Sequence, residues 1–253
     1  MGDSLTIFTS PRSFAGAVDV RQRNAVTSWV LSGYAVLFCG SDPGVEAVAD
    51  ELGIDVLPHI GRNDWGTPLI SDIFGQAQSL LAGQVVAFVN TDILLDDSLG
   101  RAAELAAAKF ERFLIIGCRH DADINSAFNF AGDWKASLRT HADPKRLHGV
   151  FGIDYFCFRA PLWSDIPSFG IGRMRWDNYL MCSANNMGVN TIDATKAVLA
   201  VHQAHSYEHI PAKAGRGWIE SAECARNAAL AGKWMAGVNA SRWIIEDGRI
   251  TSR

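Results

Sequence analysis

Three short clusters in this 253-residue chain combine residue types able to do chemistry together. The first is Asn90-Thr91-Asp92, set between the apolar runs Val85–Val89 and Ile93-Leu94-Leu95. Residues two apart in extended backbone share a side, so Asn90 and Asp92 point the same way. Hard divalent cations are commonly held by one or two carboxylates plus substrate oxygens. Asp92 is therefore a candidate ligand for Mn²⁺ or Mg²⁺, with Asn90 offering a neutral oxygen. The competing reading is a turn that caps the next helix, a task for which Asp96 and Asp97 are equally placed. The second cluster is Arg173-Met174-Arg175-Trp176-Asp177, just before a helical stretch. Its carboxylate is able to take a proton from a hydroxyl, and its two guanidinium groups to neutralise a diphosphate or another anion. Plain capping by Asp177, with Trp176 in the core, is compatible with that role. The third is His202, His205 and His209, reached directly from the apolar run Val198–Val201. Three imidazoles suggest a metal site, a zinc site lacking its fourth ligand, or ordinary hydrogen-bonded histidines.

These clusters sit where alternating strands and helices would put them. Strands are expected at Leu5–Phe8, Ala35–Cys39, Asp55–Pro58, Val85–Val89 and Phe113–Gly117, with Ala35–Cys39 and Val85–Val89 as continuous apolar runs of the kind covered on both faces. Helices are expected over Asp19–Ser32, from Ser41-Asp42-Pro43 to Gly53, from Thr67-Pro68 to Gly83, and over 98–109. Such alternation argues for an α/β fold with a mostly parallel sheet and helices on both faces. Ligands of such sheets gather beyond the carboxyl ends of the strands, which selects Thr9–Arg12, Ser41-Asp42, Ile60–Asp64 and Asn90–Asp92. Beyond about residue 120 the chain is richer in Trp, Arg, His and Asn, with strands expected at 150–158 and 196–201. No repeat or linker divides it, so residues 1–253 are read as one domain.

The Asn-Thr-Asp segment and the strands leading to it resemble the Asp-x-Asp region of GT-A glycosyltransferases, with Asn90 in place of the first aspartate. That resemblance implies a GT-A-like, Rossmann-like fold, in which about 1–118 bind a sugar nucleotide and about 119–253 build the acceptor side. It implies a sugar nucleotide donor, a glycan or other hydroxyl acceptor, and Mn²⁺ or Mg²⁺ bound by Asp92. An acidic residue opening a helix below the acceptor serves as general base in inverting members; Asp177 matches it, with Trp176 where a glutamate is usual. A histidine after a late strand completes the metal site, which His202 or His205 matches. The loops holding nucleobase and ribose would contain Thr9, Arg12 and Asp42, and Asn90 and Thr91 would meet the donor. Arg62 and Asn63, in a longer polar loop, are placed near the donor, as are Arg173 and Arg175. Trp134, Trp163 and Trp176 are candidates to stack on acceptor sugars, and Gly149 to let backbone approach a sugar closely. Transfer into polysaccharide is the biosynthetic setting this suggests. A non-catalytic nucleotide-sugar or glycan binder is the alternative, favoured by Asn90.

Composition removes other classes. A net charge of −4 leaves no electrostatic footprint for nucleic acid. No run of about 20 apolar residues is present to span a bilayer. Met1-Gly2-Asp3-Ser4 lacks the pattern of a secretion signal. Five dispersed cysteines without a CxxC pair read as buried thiols in a reducing compartment, so a cytoplasmic location is expected. No Gly-x-Gly-x-x-Gly, Gly-x-Ser-x-Gly or His-Glu-x-x-His pattern occurs, and the loop after the first strand lacks the glycines of a nucleotidyltransferase.

Overall fold

The computed structural model describes residues 5–205 and 221–253; His209 lies outside them. Up to residue 118 the described chain runs β1 (Thr6–Thr9), α1 (Gly16–Leu31), β2 (Ala35–Cys39), α2 (Val45–Leu52), β3 (Asp55–Leu57), α3 (Ile70–Leu80), β4 (Val85–Val89), β5 (Ile93–Leu95), α4 (Ser98–Lys109) and β6 (Phe113–Ile116). The remainder supplies β7 (His120–Ala122), α5 (Trp134–Arg139), β8 (Tyr155–Arg159), α6 (Trp176–Asn186), β9 (Asn190–Asp193), β10 (Ala200–Gln203), α7 (Ala222–Ala231), β11 (Trp243–Glu246) and β12 (Arg249–Ser252).

Nine strands form one sheet in the order β12-β11-β9-β6-β8-β4-β1-β2-β3. All run one way except β8 and β12. The architecture is α/β with a mostly parallel sheet. Side-chain alternation along the strands splits the core in two. Ile7, Ala87, Val89, Tyr155 and Cys157 face α1, α2 and α4. Phe8, Val86, Phe88, Phe156 and Phe158 face α3 and α6. The second face is an aromatic cluster in which Phe74 lies 5.2 Å from both Phe8 and Phe88.

A second sheet of three strands, β5-β10-β7, is short but positions the polar residues. His202 pairs in register with Ile93 of β5 on one side and Asp121 of β7 on the other. A third apolar cluster lies against this sheet, made of Leu94, Val201, Ala122, Trp134 and Leu138.

Two helices begin later than the sequence suggests. Pro68 bridges to Arg62 and Leu69 to Gly170, so the backbone at 67–69 is extended and α3 starts at Ile70. Asp42 gives its side chain to Arg62 instead of a cap, and α2 follows Gly44, whose φ of +88° suits glycine. The strand expected over 150–158 is confined to Tyr155–Arg159, because a turn from Gly149 to Gly152 occupies the start. The strand expected over 196–201 shifts to Ala200–Gln203, because Ala197 and Val198 both donate back to Ala194.

Candidate active site

Beyond the carboxyl ends of β1 and β4 opens a cleft of about 910 Å³. It is bounded by the loop after β1, the Arg62–Pro68 loop, the turn after β4, the 148–154 segment, the loop before α6, and the end of β10. Asp92, Asp177, His202 and His205 all line it.

At its floor, the turn after β4 delivers Asp92 to the end of β10. Asp92 Oδ2 lies 3.4 Å from His202 Nε2 and 3.1 Å from His205 Nε2. One potential ligand atom from each of the three lies within 4.8 Å of the others. Burial alone would push the Asp92 carboxyl up, but the two imidazoles outweigh it and hold it well below the usual carboxylate range. Burial likewise opposes a charged His202, yet Asp92 and Asp121 raise it to about 9. Capping of α4 is not Asp92's task, since Ser98 N donates to Asp96 Oδ1 at 2.9 Å.

These residues fit a divalent cation on two grounds. Asp92 Oδ1 is buried with no hydrogen-bond partner among the described residues. One carboxylate and two imidazoles also form a donor set that first-row divalent ions accept.

Behind the triad stands a network that sequence reasoning missed. His202 Nδ1 lies 2.8 Å from Asp121 Oδ1, fixing the ring from its far side. Asp121 also meets His148 Nδ1 at 2.9 Å and Arg119 Nε at 3.1 Å. Buried Arg119 bridges Asp121 to Asp154, and Asn90 Nδ2 donates to Asp154 Oδ1 at 2.8 Å. Asn90 thus lines the cleft with its amide committed to Asp154, apart from the Asp92–histidine group. A signal for Arg119 and Asp121 was present: they follow β6, so the strand-end rule points at them as it does at Asp92.

Asp177 sits in the first turn of α6. Burial, followed by the nearby Asp154 charge, raises its carboxyl to about 7, against the opposing pull of backbone N–H groups including those of Asn178 and Ile153. A carboxyl poised near neutrality in a cleft has the protonation behaviour a general base needs.

Of the other expected site residues, Arg12, Asp42, Arg62, Thr91, Gly149, Arg173 and Arg175 line the cleft. A Cβ at Gly149 would meet nothing within 4 Å, so the cleft is open there. Thr9 lines it too, but its hydroxyl is spent on Val89 O at 2.6 Å, so it serves as a strut. Four expectations are corrected. Asn63 does not line the cleft: its side chain accepts from Trp65 N and Thr67 N and donates to Glu223, shaping the loop. Trp134 packs in the apolar cluster against the small sheet, near Phe130, and not at the cleft. Trp176 touches the cleft but is only 4% exposed, its ring 5.5 Å from Phe88 and from Phe156, so no face is free for a sugar. Trp163 is likewise core.

Among solved structures, the chain is similar to a protein from Desulfovibrio desulfuricans G20 described as a presumptive nucleotide-diphospho-sugar transferase. The identity is 11%, 97% of this chain and 100% of that one are covered, and the TM-score is 0.50. It is also similar, at a TM-score of 0.48 and 14% identity over 90% of this chain and 78% of the other, to glucosyl-3-phosphoglycerate synthase from Mycobacterium tuberculosis. That structure holds Mn²⁺, uridine diphosphate and phosphoglyceric acid. No family model and no curated protein matches the sequence. The chain has a GT-A-like α/β fold.

Proposed function

We propose that this chain is a divalent-metal-dependent glycosyltransferase moving a sugar from a nucleoside-diphosphate-sugar donor to an acceptor hydroxyl, with inversion at the anomeric carbon. The observation that carries this reading is that Asp177 lines the same cleft as the Asp92–His202–His205 group, and burial, which raises its carboxyl to about 7, suits it to accept a proton. Asp92, His202 and His205 would hold the cation, whose chemistry is to offset the charge of a departing diphosphate. Two imidazoles beside one carboxylate favour Mn²⁺ over Mg²⁺, which prefers an all-oxygen shell. Arg12 and Thr91 would contact the donor on that side, with the Asp42–Arg62 pair and Arg173 bounding its site.

In this scheme the acceptor oxygen bonds to the anomeric carbon on the face opposite the leaving group. Its proton passes to the Asp177 carboxylate, and the anomeric C–O bond breaks with its electron pair leaving on the diphosphate. Gly149 would leave room for the acceptor.

The test is transfer with Mn²⁺ and a panel of UDP-, GDP- and dTDP-sugars, with the product's anomeric configuration read by NMR. An inverted product supports the scheme, and a retained one removes Asp177 from the role of base. The alternative of a non-catalytic binder is favoured by one observation, the commitment of Asn90 to Asp154. It predicts a thermal shift with a sugar nucleotide and no turnover, donor hydrolysis included.

A further inference from the structure

Six arginines line the cleft: Arg12, Arg21, Arg62, Arg119, Arg173 and Arg175. Three are neutralised, Arg62 by Asp42 at 2.8 Å, Arg119 by Asp121 and Asp154, and Arg173 by Glu223 at 2.6 Å. Among the described residues, the guanidinium groups of Arg12, Arg21 and Arg175 meet no carboxylate. A guanidinium left unpaired in a cleft is a binding group for an anion.

The three are not equivalent. Arg12 has Arg173 first, then Arg21, Asp42 and Asp92, among its electrostatic neighbours, which sets Arg12 and Arg21 toward the Asp42 and Asp92 side of the cleft with Arg173 within reach. Arg175 instead stands two residues before Asp177, where the acceptor hydroxyl must come. Its carrier loop is tied to α7. Asn227 of α7 accepts from Gly170 N at 3.0 Å and donates to Gly170 O at 3.0 Å and Met174 O at 3.3 Å, while Glu223 of α7 grips Arg173. Arg175 also has φ of +77°, a conformation that glycine would adopt with less strain.

We infer that Arg175 receives an anionic group, phosphate or carboxylate, carried by the acceptor beside its reacting hydroxyl. The acceptor is then a negatively charged hydroxyl compound, and Arg175 sets that specificity. This deepens the transferase reading and rests on it, since Asp177 must be the base for the neighbouring group to be the acceptor.

The experiment titrates the wild type, Arg175→Gly and Arg175→Lys with glycerol 3-phosphate, glycerate and glycerol, in the presence of Mn²⁺ and UDP. A parallel titration measures UDP itself. Glycine suits the positive φ, so Arg175→Gly is expected to keep its thermal midpoint and remain interpretable. The wild type should bind one anionic probe at least about tenfold more tightly than glycerol, the scale of one charge-assisted contact. Tighter binding of glycerol 3-phosphate identifies phosphate, and of glycerate, carboxylate. Arg175→Gly should lose the preference and Arg175→Lys keep part of it, with UDP affinity of both within about twofold of wild type. Equal binding of all three probes by the wild type overturns the inference, as does a loss of UDP affinity in Arg175→Gly without loss of the anion preference. Failure of the transferase reading looks different: no UDP binding by the wild type, with or without Mn²⁺.

Discussion

At the scale of single residues, Asp177 is the group on which the proposed chemistry turns. A base works only when deprotonated, and its carboxyl sits at about 7. Transfer by the wild type should therefore fall as pH drops through about 7, with a slope of one proton. Asp177→Asn should lower turnover by about 10²- to 10⁴-fold while leaving donor affinity near normal. The same shift has a stability consequence. The ordinary value is 3.8, so the folded state holds a proton that the unfolded state releases between 3.8 and about 7. The stabilisation from that proton is fully present below 3.8 and is lost as pH rises through about 7. Asparagine never ionises, so Asp177→Asn should melt above the wild type at pH 8 and close to it at pH 4. A lower midpoint for the variant at pH 8 would place the carboxylate in a stabilising interaction instead.

Among the elements, the three-stranded sheet does the positioning. It brings β5, which follows Asp92, against β10, which carries His202, and β10 against β7, which carries Asp121. Asp121 holds the face of His202 away from Asp92, so it orients a candidate ligand without being one. Asp121→Ala should weaken Mn²⁺ binding by about 10- to 100-fold in a direct metal titration. An unchanged affinity would mean that packing alone sets the His202 ring. Trp134 supports the same sheet from its apolar side. Trp134→Ala should cost about 3 kcal/mol in denaturant unfolding without changing the acceptor KM; a raised KM with full stability would return this ring to the acceptor site.

The centre of the large sheet was legible in sequence because strands such as β2 and β4 read as unbroken apolar runs, and both fall on their expected residues; β9, β11 and β12, polar or partly exposed, were not expected. Nor was the small sheet legible. Its strands are three or four residues long, and β7 reads His-Asp-Ala, whose pairing comes from distant chain. Asp92, Asp177 and His202 stood out because each interrupts or ends a patterned run. Arg119, Asp154 and Asp121 did not, because their roles lie in contacts with distant chain: Asp121 with His202 across 81 residues, Asp154 with Asn90 across 64 and Arg119 with Asp154 across 35. Trp134, Trp163 and Trp176 misled for the opposite reason: a tryptophan's size suits a sugar face and a core equally, and only packing decides.

For the whole molecule, clusters some 85 and 110 residues apart meet in one cleft at the open rim of a mostly parallel sheet. Removal of the cation should leave this frame folded, because two apolar cores and nine paired strands hold it independently of the triad. Binding of the nucleotide should be what the cation controls. The most direct measurement is calorimetric titration of UDP, GDP and dTDP into the wild type and Asp92→Asn, each with Mn²⁺ and with chelator. At least one nucleotide should bind the wild type with Mn²⁺, weaken at least about tenfold with chelator, and bind Asp92→Asn equally poorly in both. Binding that ignores both Mn²⁺ and the substitution, or no binding of any nucleotide by the wild type, would contradict the account.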